Sequence, residues 1–183
     1  ASDVYKRQKY GGDVAMVWID AHPDITLPGD PYPGYHAMAV TACMGHGDAK
    51  IVAELPAAFD PSKILFVGLR NWERGEIKAR QHQYGIKHLT PEEVAADSDA
   101  LRAWLKSCGA SKVVVHFDMD VLDPAEIVAA VGTDPDGMKI EEVIRVINDI
   151  AAEKELVGLT VAEPMPRTAI RLRDMLGRLP LLE

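Results

Sequence analysis

The sequence predicts an α/β fold with three layers, in which helices cover both faces of a mainly parallel sheet. Short apolar runs typical of buried strands alternate with helix-like segments along the 183 residues. Polar residues follow the strands, as ligand-binding groups do at the carboxyl ends of strands in open α/β sheets. Those residues are Asp20, Arg70, Asp118 and Glu163. No internal repeat or linker interrupts the alternation, so one domain is expected.

The first half of the chain has the pattern of strands separated by a loop and by helices. A segment rich in Pro and Gly follows the first strand, and Arg70 follows the second. In chain order the expected elements are a strand at 15–19, a loop at 25–35, a buried helix at 36–44, a strand at 63–69, a helix ending near 83 and a strand at 85–89.

In the second half, Thr90, Pro91 and Glu93 form a capping signal that predicts the start of a helix. Apolar residues at helical spacing follow it and are expected in the core. The later expected elements are a strand at 112–115 that runs into the acidic stretch 116–124, a loop at 132–137, an amphipathic helix from 140, a strand at 157–162 and a helix at 169–176.

Composition and charge restrict the partners. Hydrophobic residues make up 48% and charged residues 26%, as in ordinary globular domains. The net charge of −8 argues against nucleic acid and anionic membranes. Cys43 and Cys108 form no disulfide framework and are expected to be free thiols in a reducing compartment. Because no apolar run reaches transmembrane length and no signal peptide is visible, a cytoplasmic protein is expected.

Two acidic clusters follow buried strands. Asp118 and Asp120 stand at alternate positions, as do Asp20, His22 and Asp24. Alternate side chains of an extended segment share one face, and carboxylates held that close repel unless a cation lies between them. A solvated acidic turn would explain one such cluster. An EF-hand does not, because the required Gly and Glu are absent at its sixth and twelfth positions. Two clusters favour a shared metal site.

Four motifs resemble the ureohydrolases, the arginase–agmatinase family. Asp20-Ala21-His22-Pro23-Asp24 and Phe117-Asp118-Met119-Asp120-Val121-Leu122-Asp123-Pro124 match its two acidic signatures. Gly68-Leu69-Arg70-Asn71-Trp72-Glu73-Arg74-Gly75-Glu76 and Glu163-Pro164-Met165-Pro166 support the match. The resemblance covers nearly the whole chain from about Val14 and implies an arginase-like α/β/α fold.

The resemblance implies a centre of two Mn²⁺ ions. Asp20 and Asp118 would bridge the ions together with a hydroxide, His22 and Asp120 would complete one ion, and Asp24 would help to hold the other. Carboxylate-rich sites with one or two imidazoles suit manganese or magnesium better than zinc or copper. The hydroxide would attack the carbon of a small cationic guanidino substrate and release urea.

Four side chains have implied roles toward the substrate. Asp24 would accept a proton, and His36 would pass one to the leaving amine, although a His at a helix start is often only a capping residue. Glu163 would pair with the guanidinium, unless it forms an ion pair with Arg167. Glu73 stands where the family's arginases place an acidic residue near the substrate's α-amino group.

The substrate is expected to be arginine, which yields ornithine and urea. The loop at 25–35 offers Thr26, Asp30 and Tyr32 but little else to hold an α-carboxylate, so agmatine or another guanidino or formimidoyl compound is the alternative. A zinc deacetylase also uses an Asp-x-His pair, but the second acidic motif argues against it. The alternative that is not an enzyme is an inactive metal-binding fragment or an oligomer subunit. The resemblance implies a homo-oligomer, a trimer or hexamer, for the full-length protein.

The N-terminal residues lack the family pattern. Residues 1–8 are polar and aperiodic and are expected to be foreign or artefactual, which leaves 9–183 as a partial catalytic domain. The family carries an upstream Gly-Gly-Asp-His motif whose His binds metal. Gly11-Gly12-Asp13 is followed by Val14 and lies too close to Asp20 to leave room for the intervening helix, so it is expected to be a coincidental turn. No other residue is expected to replace that His. One ion would therefore lack a ligand, and weak metal binding with little turnover is expected.

Overall fold

A parallel sheet of five strands organises the protein, whose computed structural model describes residues 2–32, 34–165 and 169–182. The strands are β1 (Val14–Ile19), β2 (Ile64–Val67), β3 (Lys87–Leu89), β4 (Lys112–Asp118) and β5 (Glu155–Ala162). Their spatial order is β3-β2-β1-β4-β5, and every neighbouring pair is parallel. The chain moves outward from β1 in one direction and from β4 in the other. The strand order therefore reverses between β1 and β4, where open α/β sheets form their ligand crevice.

Helices lie between the strands, as the alternation predicts. They are α1 (Ser2–Tyr10), α2 (Ala39–Cys43), α3 (Ala49–Glu54), α4 (Gly75–Tyr84), α5 (Pro91–Ala95), α6 (Asp99–Ser107), α7 (Ile140–Glu153) and α8 (Ala169–Leu176). The capping box of Thr90 and Glu93 at the start of α5 is confirmed. The helix expected at 36–44 is divided, because a 3₁₀ turn at His36–Met38 precedes α2.

The central strands β1, β2 and β4 are buried on both faces of the sheet, which confirms the three-layer architecture. Ala15, Val17 and Ile19 point into a core that also contains apolar residues of α5, α6 and α7. The alternate residues Met16 and Trp18 point into a second core with residues of α2 and α4. Burial on both faces explains why the strands are almost continuously apolar.

The N-terminal segment is helical where the structure describes it. Helix α1 lies against β1 and β5. The predicted turn at Gly11-Gly12-Asp13 follows, and Asp13 accepts hydrogen bonds from Ser111 just before β4. The foreign origin of residues 1–8 stays a prediction. Within the described ranges, no helix is both long and apolar enough to cross a membrane.

Candidate active site

A cavity of about 590 Å³ opens at the carboxyl edge of the sheet, beside the ends of β1 and β4. Every site residue predicted from the sequence lines this cavity: Asp20, His22, Asp24, His36, Glu73, Asp118, Asp120 and Glu163. Arg70 was expected at the same edge but is not among the lining residues. The strand order therefore brings two acidic clusters, about a hundred positions apart in sequence, into one cavity.

Local hydrogen bonds fix the acidic side chains at the strand ends. Trp18 Nε1 donates to Asp20 Oδ2 at 2.9 Å, and the His22 amide donates to Asp20 Oδ1 at 2.7 Å. On the other strand, the Asp120 amide donates to Asp118 Oδ1 at 3.0 Å. The Ala21 amide connects the clusters by donating to Asp120 Oδ1 at 3.2 Å. Asp20, Asp118 and Asp120 therefore each accept a hydrogen bond from a backbone amide.

His22 lies between carboxylates on both sides. Its Nδ1 is 2.9 Å from Asp120 Oδ2 and 3.6 Å from Asp20 Oδ1, while its Nε2 is 3.2 Å from Asp134 Oδ2. Burial alone would lower the pKa of His22, but the hydrogen bonds with Asp120 and Asp20 outweigh burial and raise that pKa to about 11. Without a metal ion, a proton on this imidazole balances the nearest carboxylates.

The remaining carboxylates lack such a balancing charge. Burial, with the repulsion of neighbouring carboxylates, raises the pKa of Asp118 to about 8 and that of Asp20 to about 6. Burial also raises the pKa of Asp24 well above its ordinary value. Asp120 is the exception, because contact with His22 overcomes burial and lowers its pKa. Buried acids that resist ionisation are the environment in which a bound cation is favourable.

Three sets of side chains have ligand atoms within 4.8 Å of one another. The sets are Asp20 with His22 and Asp120, Asp20 with His116 and Asp118, and Asp118 with Asp120 and Glu163. Oxygen-rich sets with an imidazole fit Mn²⁺ or Mg²⁺. Among the described residues, Asp24 belongs to none of the three sets, although it lines the cavity. Glu163, expected to face the substrate, lies beside two of the expected metal ligands.

The sequence motifs did not predict a role for His116 in the site. Its side chain is buried and stacks on Trp18, with ring centroids 3.6 Å apart and planes 5° apart. Burial lowers its pKa to about 4. A signal was present in the sequence, because His116 and Asp118 stand at alternate positions of β4 and therefore share a face of the sheet.

Three further residues support the site through contacts that local sequence does not predict. Asp134 faces His22 and also accepts a hydrogen bond from Asn71 Nδ2 at 2.6 Å. Arg70 does not line the cavity, and its guanidinium donates hydrogen bonds to five backbone carbonyls. These carbonyls belong to Gly68, Asp120, Val121, Asp134 and Pro135. Arg70 therefore braces the loop that carries Asp134 against the end of β4.

Three of the cavity's acidic residues adopt left-handed backbone conformations. The φ angles are 48° at Asp24, 57° at Glu73 and 54° at Glu163. Such a conformation costs a residue other than Gly on the order of 1–3 kcal/mol, and strained residues of this kind cluster at functional sites. The strain therefore marks the same residues that the sequence assigns to catalysis or substrate binding.

The loop before His36 supplies fewer free polar groups than its sequence suggests. Thr26 Oγ1 donates to the Ala37 carbonyl at 2.7 Å, and Asp30 forms an ion pair with Arg80. Tyr32 is 42% exposed, and its hydroxyl lies 3.2 Å from Nε2 of the exposed His36. The alternative ion pair of Glu163 involves Arg167, which lies outside the described residues.

Comparison with known proteins agrees with this architecture. The family model described as "Arginase family" matches residues 4–174, and the match begins within the segment 1–8. An arginase of Entamoeba histolytica is 29% identical over 169 residues, covering 90% of this chain and 56% of the relative. The N(omega)-hydroxy-L-arginine amidinohydrolase of Streptomyces lavendulae is 31% identical over 157 residues, covering 82% and 51%.

A solved structure shows the same fold. The crystal structure of Entamoeba histolytica arginase in complex with L-ornithine matches with a TM-score of 0.82 at 22% identity. The match covers 92% of this chain and 60% of that one. The chain spans about half the length of the curated relatives it matches.

Proposed function

We propose, since this chain belongs to the arginase family, that it is a metal-dependent hydrolase that cleaves guanidino C–N bonds and releases urea. The main support for the proposal is that Asp20, His22, Asp118 and Asp120 line one cavity at the ends of β1 and β4. The pKa values of Asp20 and Asp118 are raised by burial, and the protonated imidazole of His22 is the positive charge beside them. The cavity therefore lacks positive charge. A cationic cofactor and a cationic substrate both meet that need.

The cofactor we propose is a pair of Mn²⁺ ions. Asp20, His22, Asp24, Asp118 and Asp120 would hold them. When bound, the ions would supply positive charge that lowers the pKa of water in the cavity to near neutrality. Removal of the proton from His22 would free Nδ1 as a ligand atom, while Asp134 at Nε2 would keep the ring oriented.

The side chains around the ligands have the properties that proton transfer and substrate binding require. Asp24, which lines the cavity beside Asp20 and Asp118, accepts the proton of the attacking water. His36, exposed beside the cavity and in contact with Tyr32, passes a proton to the leaving amine. Glu163 pairs with the planar guanidinium in a bidentate geometry. Its closeness to Asp118 and Asp120 supports this role.

The substrate we propose is arginine, with ornithine and urea as products. Glu73 lines the cavity and carries the charge needed to bind an α-amino group. Thr26 and Asp30 are engaged in internal contacts and offer little to an α-carboxylate. Agmatine, which lacks that carboxylate, is therefore the main competing substrate. The relative from Streptomyces lavendulae is an N(omega)-hydroxy-L-arginine amidinohydrolase, so N(omega)-hydroxy-L-arginine is a further candidate.

Urea release from a guanidino panel tests the proposal. The protein, loaded with excess Mn²⁺, is assayed with arginine, agmatine and N(omega)-hydroxy-L-arginine. Arginine should be the best substrate, and Glu163→Gln should abolish turnover while the exposed Glu92→Gln leaves it unchanged. A preference for agmatine would refute the substrate. Metal binding without turnover of any compound would instead support an inactive metal-binding fragment or oligomer subunit.

Two further expectations concern the environment of the protein. We propose a homo-oligomer, a trimer or hexamer, for the full-length protein, and a cytoplasmic location. Light scattering of the full-length protein and fractionation of cells that express it would test these expectations. Neither expectation depends on the chemistry proposed for the cavity.

A further inference from the structure

His116 has a position that its packing alone does not explain. It is 8% exposed, and its ring stacks on Trp18, whose Nε1 donates to Asp20. The ring is therefore fixed between the two strands that supply the carboxylates. Its Nε2 lies 4.0 Å from Asp118 Oδ2, which is too long for a hydrogen bond. Two donors that share one ion, each roughly 2.1 Å from it, lie at about 3–4 Å from each other.

We propose that His116 is a metal ligand that joins Asp20 and Asp118 around one ion of the centre. The ligand atoms of these three side chains lie within 4.8 Å of one another, and all three residues are buried. The inference rests on the proposed function, because it assumes that the cavity binds divalent metal. It adds a residue to which the family motifs in this sequence give no role.

The two imidazoles would then divide between the two ions. His22 belongs to a set with Asp20 and Asp120, whereas His116 belongs to a set with Asp20 and Asp118. His116 would supply its imidazole from β4, whereas His22 would supply the other imidazole from the segment after β1. Each ion therefore has one nitrogen ligand and at least two carboxylates.

A Phe substitution separates ligation from packing. His116→Phe keeps an aromatic ring against Trp18 but removes both nitrogens. His46→Phe is the matched control, since His46 stacks on Tyr84 with planes 6° apart and does not line the cavity. Binding of Mn²⁺ to each folded variant is followed by calorimetry and by the EPR signal of free Mn²⁺.

We expect two Mn²⁺ per chain in the unsubstituted protein and in His46→Phe. In His116→Phe, one of the two sites should lose at least about 100-fold in affinity, since even indirect contacts to a ligand alter affinity 10–100-fold. Equal stoichiometry and affinity in all three proteins would overturn the role of His116 and leave the proposed function intact. Absence of Mn²⁺ binding in the unsubstituted protein would overturn the proposed function itself.

A spectroscopic measurement keeps the test decisive if His116→Phe folds poorly. Pulsed EPR detects nitrogen bound to Mn²⁺. In His22→Ala the remaining ion should still show coupling to one imidazole nitrogen, and the double variant with His116→Phe should show none. Absence of bound Mn²⁺ or of nitrogen coupling in His22→Ala would overturn the assignment.

Discussion

Arg80 on α4 binds Asp30 with both terminal nitrogens of its guanidinium. Nη1 lies 2.6 Å from Asp30 Oδ2, and Nη2 lies 3.0 Å from Oδ1. Nη1 also donates to the Ile25 carbonyl at 2.9 Å, and the Leu27 amide donates to Asp30. The two charged side chains are only 15% and 14% exposed. Helix α4 therefore anchors the Pro- and Gly-rich loop that leads to His36.

Loss of this ion pair should loosen the loop. Arg80→Gln should lower the free energy of unfolding by about 1 kcal/mol, because a bidentate pair with little exposure exceeds the median surface pair. It should also raise KM for the guanidino substrate, since the loop lines the cavity. Arg178→Gln is the matched control, because it breaks a similar but exposed bidentate pair with Glu141. Equal destabilisation in the two variants would contradict the anchoring role.

The same pair should show a defined pH dependence. The hydrogen bonds from Arg80 are the main reason that the pKa of Asp30 lies below its ordinary value. The contribution of this pair is therefore complete above the unfolded pKa of about 3.9 and disappears as pH falls through the lower folded pKa. Denaturation curves of the unsubstituted protein and Arg80→Gln should converge toward acidic pH. A constant difference would argue that Arg80 stabilises the loop through its carbonyl contact alone.

Asp134 should act as a positioning residue for metal binding. It contacts Nε2 of His22, so Asp134→Asn removes the charge that orients the imidazole. We expect Mn²⁺ affinity to fall about 10–100-fold. Asp136→Asn is the control in the same loop, since Asn tolerates the left-handed conformation at φ 58°. Titration with Mn²⁺ measures both variants, and equal affinities would exclude the role of Asp134.

Asp118 and Asp123 of the second acidic motif should have different roles. Asp118→Ala removes a carboxylate that the family resemblance assigns to both ions, and it should abolish binding of both. Asp123 instead accepts a hydrogen bond from the Ala125 amide at 2.9 Å, so Asp123→Ala should cost about 1 kcal/mol of stability and leave metal binding unchanged. Circular dichroism verifies folding. Unchanged Mn²⁺ binding by folded Asp118→Ala would contradict the two-metal centre.

The metal-free protein should become less stable between pH 6.5 and 8. In this range the folded protein retains protons on Asp118, whose pKa burial raises to about 8, and on His22, whose pKa is raised to about 11. The unfolded chain has released the Asp118 proton by then and loses the His22 proton above the unfolded pKa of about 6.5, so stability falls as pH rises. Burial lowers the pKa of His116 to about 4, so His116 contributes with the opposite sign, but this contribution fades above pH 6.5 as the unfolded imidazole also loses its proton.

Melting temperatures in the presence of a chelator test this expectation. Asp118→Asn should reduce the slope, because the substituted side chain does not titrate. Excess Mn²⁺ should reverse the trend, since metal replaces protons and binds more tightly as pH rises. A melting temperature that rises between pH 6.5 and 8 in the chelated protein would contradict the charge arrangement described for the cavity.

Local sequence determined the secondary structure and the character of the site. The apolar strands, the capping box of Thr90 and Glu93, and the start of α7 at Ile140 follow from interactions within a few residues. These features are short-range, so the sequence alone predicts them. Asp118 and Asp120 do lie close together, but the expected strand alternation is not the reason, because β4 ends at Asp118 and a 3₁₀ turn at Met119–Val121 carries Asp120.

Only the tertiary structure decided which distant side chains meet. The contact of His22 with Asp134, the stacking of His116 on Trp18 and the ion pair between Asp30 and the later helix α4 join positions far apart in sequence. They depend on the strand order that sets β1 beside β4, which no local propensity encodes. The same burial changes the pKa values of the acids, because it replaces water by protein. The residue types predicted a cation site, and the packing of the sheet decided which atoms can hold it.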